Sequence, residues 1–281
     1  MTVSRSASRP PSPSRISSRV LTALIGIPIV AAIVWAGGWV FWSVTVLLAF
    51  LALRELDTAI QNTLKPHRLV GFVAYPTLAL VLWAVGWLGQ KSPAVSWNLI
   101  VLTALPWLLL TGGVLRYAAR QPVSLLSMAL TSLAVPYVAL FAILPLVRTQ
   151  GQVWMWLLLL TVWASDIGAY YAGRAWGRNK LTPLSPGKTR EGAFFGILAA
   201  VATSTLMGTF SSIGFLNGAC LGVIIGLCAP LGDLAESFWK RELGVKDLGA
   251  LLPGHGGVLD RCDSLIFSAF AVWLYQLLFV G

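Results

Sequence analysis

Acid is scarce in this chain: ten Asp and Glu stand against twenty Lys and Arg in 281 residues, for a formal net charge of +10. Histidine occurs twice and cysteine three times, too few for a zinc site. Cys220, Cys228 and Cys262 are odd in number and lack metal-type spacing; the first two sit in an apolar run and read as small packing residues, as does Cys262. Polar alternation is missing from the long apolar runs, which excludes barrel strands. No internal repeat is evident, which weighs against a transporter built from two halves. Charged residues make up only 11% and hydrophobic ones 57%, with a mean hydropathy of +0.79, outside soluble-globular usage. The sequence therefore describes an all-α, polytopic integral membrane protein. Its cations fall in loops between apolar runs, where orientation and anionic lipid account for them, so nucleic acid is not an expected partner.

Residues 1–19, rich in Ser, Arg and Pro and free of acid, cannot bury enough surface to fold, and are expected to be a disordered basic tail. The same composition fits a plastid or mitochondrial transit peptide; the plastid case would place the protein in a plastid membrane. Apolar runs follow at 20–37, 39–53, 69–89, 97–115, 123–147, 152–173, 193–212, 214–232 and 264–280. These nine candidate spans include a short second one that can pair with the first as a re-entrant hairpin. With the tail inside, eighteen of twenty Lys and Arg fall on inside segments and only Lys91 and Arg148 outside, so the positive-inside rule predicts nine spans with a cytoplasmic amino end. The organisation expected is an amino-terminal membrane region over 20–150 and a catalytic one over 151–281, with motif loops at 174–192 and 233–263. Gly218, Gly222 and Gly226 form a GxxxGxxxG ridge, suited either to packing within the subunit or to a dimer seam.

The ten acids are unevenly spread. Six of them (Asp233, Glu236, Glu242, Asp247, Asp260 and Asp263) crowd into about a ninth of the chain. Carboxylates beside a bilayer are costly unless they bind something. Asp233, Glu236 and Ser237 share a helix face by their i, i+3, i+4 spacing, and Asp260 and Asp263 repeat i, i+3 at the next span. Carboxylates brought together from two helix ends suit Mg²⁺, which keeps its remaining positions for water and phosphate. Between them, Pro253-Gly-His-Gly-Gly257 offers a nest of backbone N–H groups through Gly256 and Gly257, with His255 as an acid, a base, a loop anchor or, the favoured role, a phosphate ligand. Lys240, Arg241, Lys246 and Arg261 supply compensating charge for a polyphosphate. In the other loop, Gly187-Lys188-Thr189 imitates the end of a P-loop, but Thr182 stands where that motif needs Gly. What remains is Lys188 and Arg190 beside Ser185 and Thr189 at a helix mouth, which suits phosphate or a lipid headgroup. Asp166, inside an apolar span, needs a partner, a metal or a cavity, unless it is a neutral hydrogen-bonded group.

These residues resemble the phosphatidate cytidylyltransferases, or CDP-diglyceride synthases. The signature positions are Ser237, Lys240, Arg241, Lys246, Asp247, Gly249, Pro253, His255, Gly256, Gly257, Asp260, Arg261 and Asp263; Trp239 and Cys262 stand where an aliphatic residue is usual. A second block spans Asp166 to Gly192, while the first 150 residues resemble the family only in being hydrophobic. The resemblance implies CMP transfer from CTP to phosphatidate, giving CDP-diacylglycerol and pyrophosphate. It also implies a homodimer using Mg²⁺, with K⁺ as an optional second metal, in a bacterial plasma membrane. By position it assigns metal binding to Asp233, Asp260 and Asp263, phosphate contacts to Lys188, Arg190, Lys240, Arg241 and Arg261, and orienting roles to Ser237 and His255. Rival readings are a CTP-dependent kinase of a lipid alcohol and an ion-coupled transporter using Asp166 and Asp233.

Overall fold

The computed structural model of the chain describes residues 13–64, 140–251 and 256–280. Regular structure among them is helical: α1 (Pro13–Ala36), α2 (Gly38–Leu64), a 3-10 turn (Leu140–Ala142) leading into α3 (Ile143–Thr149), α4 (Gln152–Trp176), α5 (Arg190–Thr209), α6 (Phe215–Glu242) and α7 (Leu259–Phe279). Five of them, α2 and α4 to α7, are long and apolar enough to cross a membrane. The expected spans at 69–89 and 97–115, most of 123–147, and the 252–255 part of the second loop lie outside the described residues.

Several helices overrun their apolar limits. The second span lies in a 22-residue helical segment, Gly38–Ala59, that is long and apolar enough to cross a membrane. Helix α6 continues ten residues past the expected boundary at 232, and α7 begins five residues before 264. In these extensions Glu236 pairs with Lys240 one turn on at 2.6 Å, and Asp260 lies in the first turn of α7, where a carboxylate favours the helix dipole.

Gly37 and Gly38, both with positive φ (59° and 48°), turn the chain between α1 and α2. Arg148 closes this turn, donating from Nε to the Val34 carbonyl at 3.0 Å and from Nη2 to the Trp35 carbonyl at 3.4 Å. Its guanidinium lies 5.9 Å from the Phe41 ring centroid. One of the two cations expected away from the motif loops thus satisfies open carbonyls at the end of α1.

Helix α5 lies between α4 and α6 and touches both through small residues. Its buried positions Gly192, Gly196, Ala200, Ser204 and Gly208 recur every four residues and form one stripe. A Cβ at Gly192 would stand 2.7 Å from the Ala169 carbonyl oxygen, and one at Gly222 2.6 Å from the Cα of Val201. The glycine ridge of α6 therefore packs inside the subunit against α5, the first of the two expected uses. Because the chain reverses at each connection, the 177–189 and 243–258 segments meet at one end of the bundle, and the α1–α2 turn, Arg148 and the α5–α6 turn lie at the other. Gly222→Leu is expected to destabilise the detergent-solubilised protein by about 1–3 kcal/mol, the scale of overpacking a closed interface. A lowered midpoint in thermal or denaturant unfolding is the measurement.

Candidate active site

The first motif segment is held as a closed loop. Thr189 caps α5, its hydroxyl accepting from the Gly192 amide at 3.1 Å. Leu181 donates its amide to the Lys188 carbonyl at 3.0 Å, and Arg190 to that of Asn179 at 2.9 Å. Glu191 fastens the far side, accepting from the backbone amides of Arg178 and Asn179 at 3.2 Å and from Asn179 Nδ2 at 2.7 Å. Arg241, at the end of α6, donates from Nε to the Leu184 carbonyl at 3.3 Å and joins this loop to the second motif segment.

Between the two segments lies a cavity of about 470 Å³. Asp166, Tyr170 and Arg174 of α4 form one wall, Lys188 and Thr189 the loop side, and Asp233 of α6 and Arg261 of α7 the other wall. Lys188 Nζ sits 2.7 Å from Asp233 Oδ2 and 3.5 Å from the Pro230 carbonyl oxygen. Ser237 donates from Oγ to Asp233 Oδ1 at 3.4 Å. Asp166, solitary in its span by sequence, thus has both its cavity and a lysine across from it.

A carboxylate cluster adjoins the cavity. Asp233, Glu236 and Asp263 each offer a ligand oxygen within 4.8 Å of the others. Gly232 makes this possible: a Cβ there would lie 2.6 Å from the Asp263 carbonyl oxygen and 2.8 Å from the Phe267 Cβ, so α6 and α7 meet at backbone distance beside their acids. Asp260 faces another set of donors, accepting from Lys240 Nζ at 3.0 Å and from the amides of Leu248, Gly249 and Gly257 at 3.2, 3.4 and 2.8 Å. Lys240 also holds Glu236, so one lysine bridges the two acids. The sequence expectation grouped Asp233 and Asp263 with Asp260; the structure groups them with Glu236, and Asp260 joins through Lys240.

These residues fit a hard divalent cation. The ligand atoms are carboxylate oxygens from two helices, and Glu236 Oε1 is buried without a hydrogen-bond partner. Lys188 pairs with Asp233, and Lys240 with Glu236 and Asp260.

Among the expected phosphate-contact residues, Lys188, Thr189 and Arg261 face the cavity, whereas Arg190 and Lys246 are exposed outside its wall and Ser185 stands in the loop turn. Gly256 and Gly257 lie against Asp260. His255 lies outside the described residues. Sequence reasoning missed Glu55 of α2, whose Oε1 accepts from the Val258 amide at 3.0 Å and Oε2 from that of Leu259 at 3.1 Å. Its one signal was a carboxylate just past the end of an apolar run, in a chain so short of acid.

A family model described as the cytidylyltransferase family matches residues 17–279. The chain belongs to the cytidylyltransferase family. It is accordingly a nucleotidyltransferase of the membrane. Among curated relatives, the phosphatidate cytidylyltransferase of Staphylococcus saprophyticus is 33% identical over 257 residues, 89% of this chain and 94% of the relative. That of Helicobacter pylori is 42% identical over 142 residues, 49% of this chain and about half (52%) of the relative. That of Synechocystis is 44% identical over 119 residues, 42% of this chain and 41% of the relative.

Glu191→Ala is expected to release the 177–181 segment. Hydrogen bonds to a charged group contribute about 1.5–3 kcal/mol, so amide exchange at Arg178 and Asn179 should rise about tenfold or more. Exchange in the middle of α5 should stay unchanged.

Proposed function

We propose that the chain transfers CMP from CTP to phosphatidate, releasing pyrophosphate and leaving CDP-diacylglycerol in the bilayer. The observation that carries this reading is the cavity between the two motif segments, where cations from α4, α7 and the first loop face a carboxylate cluster from α6 and α7. The names of its relatives support the same substrate pair.

In the proposed reaction an oxygen of the phosphatidate phosphate forms a bond to the α-phosphorus of CTP. The bond from that phosphorus to the bridging oxygen of the β-phosphate breaks, and pyrophosphate departs with the electron pair. A phosphate monoester is already largely ionised at neutral pH, so no strong base is required. The protein's task is to hold the reactants in line and to meet their charge. Lys188, Arg174 and Arg261 are placed to contact phosphates around the cavity, with Thr189 and its neighbour Ser185 donating beside them and Arg190 and Lys246 drawing the nucleotide in from outside. Ser237 orients Asp233. Lys240 and Arg241 fix the end of α6, the backbone of Gly256 and Gly257 borders the site, and His255 completes the phosphate contacts.

Asp233, Glu236 and Asp263 would hold Mg²⁺, with Asp260 kept in the catalytic set through its lysine bridge to Glu236 and K⁺ as a second cation. Bound there, Mg²⁺ supplies charge neutralisation for the triphosphate and its leaving group. Catalysis is assigned to 151–281, with the amino-terminal helices as its scaffold, within a homodimer of nine-span subunits. The site is assigned to the cytoplasmic face of a bacterial plasma membrane: of the Lys and Arg in the described helices and loops, all but Arg148 lie at the end that bears the motif segments.

Detergent-solubilised protein given labelled CTP, phosphatidate and Mg²⁺ is expected to yield labelled CDP-diacylglycerol and pyrophosphate in equal amounts. Release of CDP with a phosphorylated lipid would establish a lipid kinase instead. Asp260→Asn is expected to cut kcat by about 10–100-fold, the scale for losing a group that orients metal ligands, in protein that still shows a cooperative unfolding transition; near-normal turnover would remove Asp260 from the catalytic set.

A further inference from the structure

Helix α7 carries Asp260 and Asp263, yet its first turn has no cap of its own. The N-cap residue Val258 makes no side-chain capping bond. The amides of Val258, Leu259, Asp260 and Arg261 have no i−4 partner within the helix. Gly257 donates to Asp260 at 2.8 Å, and the next two donate to Glu55, 203 and 204 residues away in sequence. The Arg261 amide closes the turn on the Val258 carbonyl at 3.1 Å.

The second motif segment is also shaped around Glu55. At Gly249 the three atoms that a methyl group in place of the glycine hydrogen would meet first all belong to the Glu55 side chain, and the same holds at Gly257, each inside the distance that side chains tolerate. Gly249 and Gly257 are simultaneously amide donors to Asp260. Two carboxylates, one from α2 and one from α7, are thus packed against the same two glycines, and between them they take up the amides of Gly257, Val258 and Leu259.

We propose that Glu55 is a positioning residue for the nucleotidyl transfer. By capping α7 from outside its own loop, it sets the angle and depth at which α7 presents Asp263 to Asp233 and Glu236, and so fixes the geometry of the cation cluster. It neither lines the cavity nor belongs to the cluster, and it acts through the helix start. This assignment rests on the cytidylyltransferase reading of the site, and its tests separate the two. If the unaltered protein forms no CDP-diacylglycerol, that reading fails; if it does, the variants below decide the role of Glu55.

The first test compares Glu55→Ala and the isosteric Glu55→Gln with the unaltered full-length protein. Both should raise the Mg²⁺ concentration for half-maximal activity, Ala by about 10–100-fold, the usual cost of removing a group that orients metal ligands, and Gln by less, because its carbonyl still accepts one of the two amides. Binding of Mn²⁺ without nucleotide, followed by electron paramagnetic resonance, should weaken in the same order. Unchanged Mn²⁺ binding in the folded Gln variant overturns the proposal, even if turnover falls.

The second test uses the glycine contact. Gly249→Ala alone should weaken Mn²⁺ binding, because the added methyl displaces Glu55. In a Glu55→Ala background the same methyl meets no Glu55 atoms and should add less than about a twofold further loss. Losses that multiply independently in the double variant would show that Gly249 and Glu55 do not act through each other, and would overturn the proposal as well.

Discussion

At Gly232 the backbones of α6 and α7 approach to the limit that a glycine allows, and the acids on either side are carried together with them. Like charges a few ångströms apart repel by about 4 kcal/mol per pair even at the intermediate effective dielectric of a protein surface. Helix packing alone would not bring Asp233, Glu236 and Asp263 together against that repulsion. The surroundings of the cluster answer it: Lys188 lies on Asp233, Lys240 spans Glu236 and Asp260, and the Ser264 amide donates to Asp263 at 2.7 Å. The unpartnered Glu236 oxygen is what a divalent cation would meet.

Much of this was legible in the sequence because the chain is so poor in acid. Crowding of carboxylates at 233–263 marked the site, and helical spacing alone put Asp233 and Glu236 on one face. The helix ends were harder to read. Apolar runs report where hydrocarbon stops, whereas α6 and α7 continue past that limit on side-chain pairs and a borrowed cap that no local window contains. For the same reason Asp260 and Glu236 exchanged places relative to expectation. Their spacing is equivalent in sequence, and only the position of Lys240 and the loop amides decides which acid faces the cluster. Glu55 was invisible for a plainer reason: its partners are two backbone amides more than two hundred residues away, and an amide carries no residue identity.

The glycine ridge shows how one pattern supports two uses that sequence cannot separate. Gly218, Gly222 and Gly226 would serve a dimer seam as well as an internal crossing. The deciding partner is the equally small stripe on α5, which offers Ser204 and Gly208 at backbone distance. With α5 seated on α4 by Gly192 and Gly196 as well, the three helices form a thin, closely spaced wall. One end of that wall holds the first motif loop in place beside the cavity.

Arg148 has a consequence for how the chain is threaded into a bilayer. Its guanidinium is spent on the last carbonyls of α1, and among the described residues it is the one Lys or Arg at the end remote from the cavity. An arginine at the centre of a membrane costs about 2.5–3.5 kcal/mol on insertion scales. Of the described cations, bringing the remote end across the hydrocarbon moves this one alone, already wrapped in backbone acceptors and an aromatic face, whereas bringing the opposite end across would move the basic groups of both motif segments. The work of insertion is therefore strongly unequal for the two directions, and the polarity of the finished protein is written into the cost of assembling it.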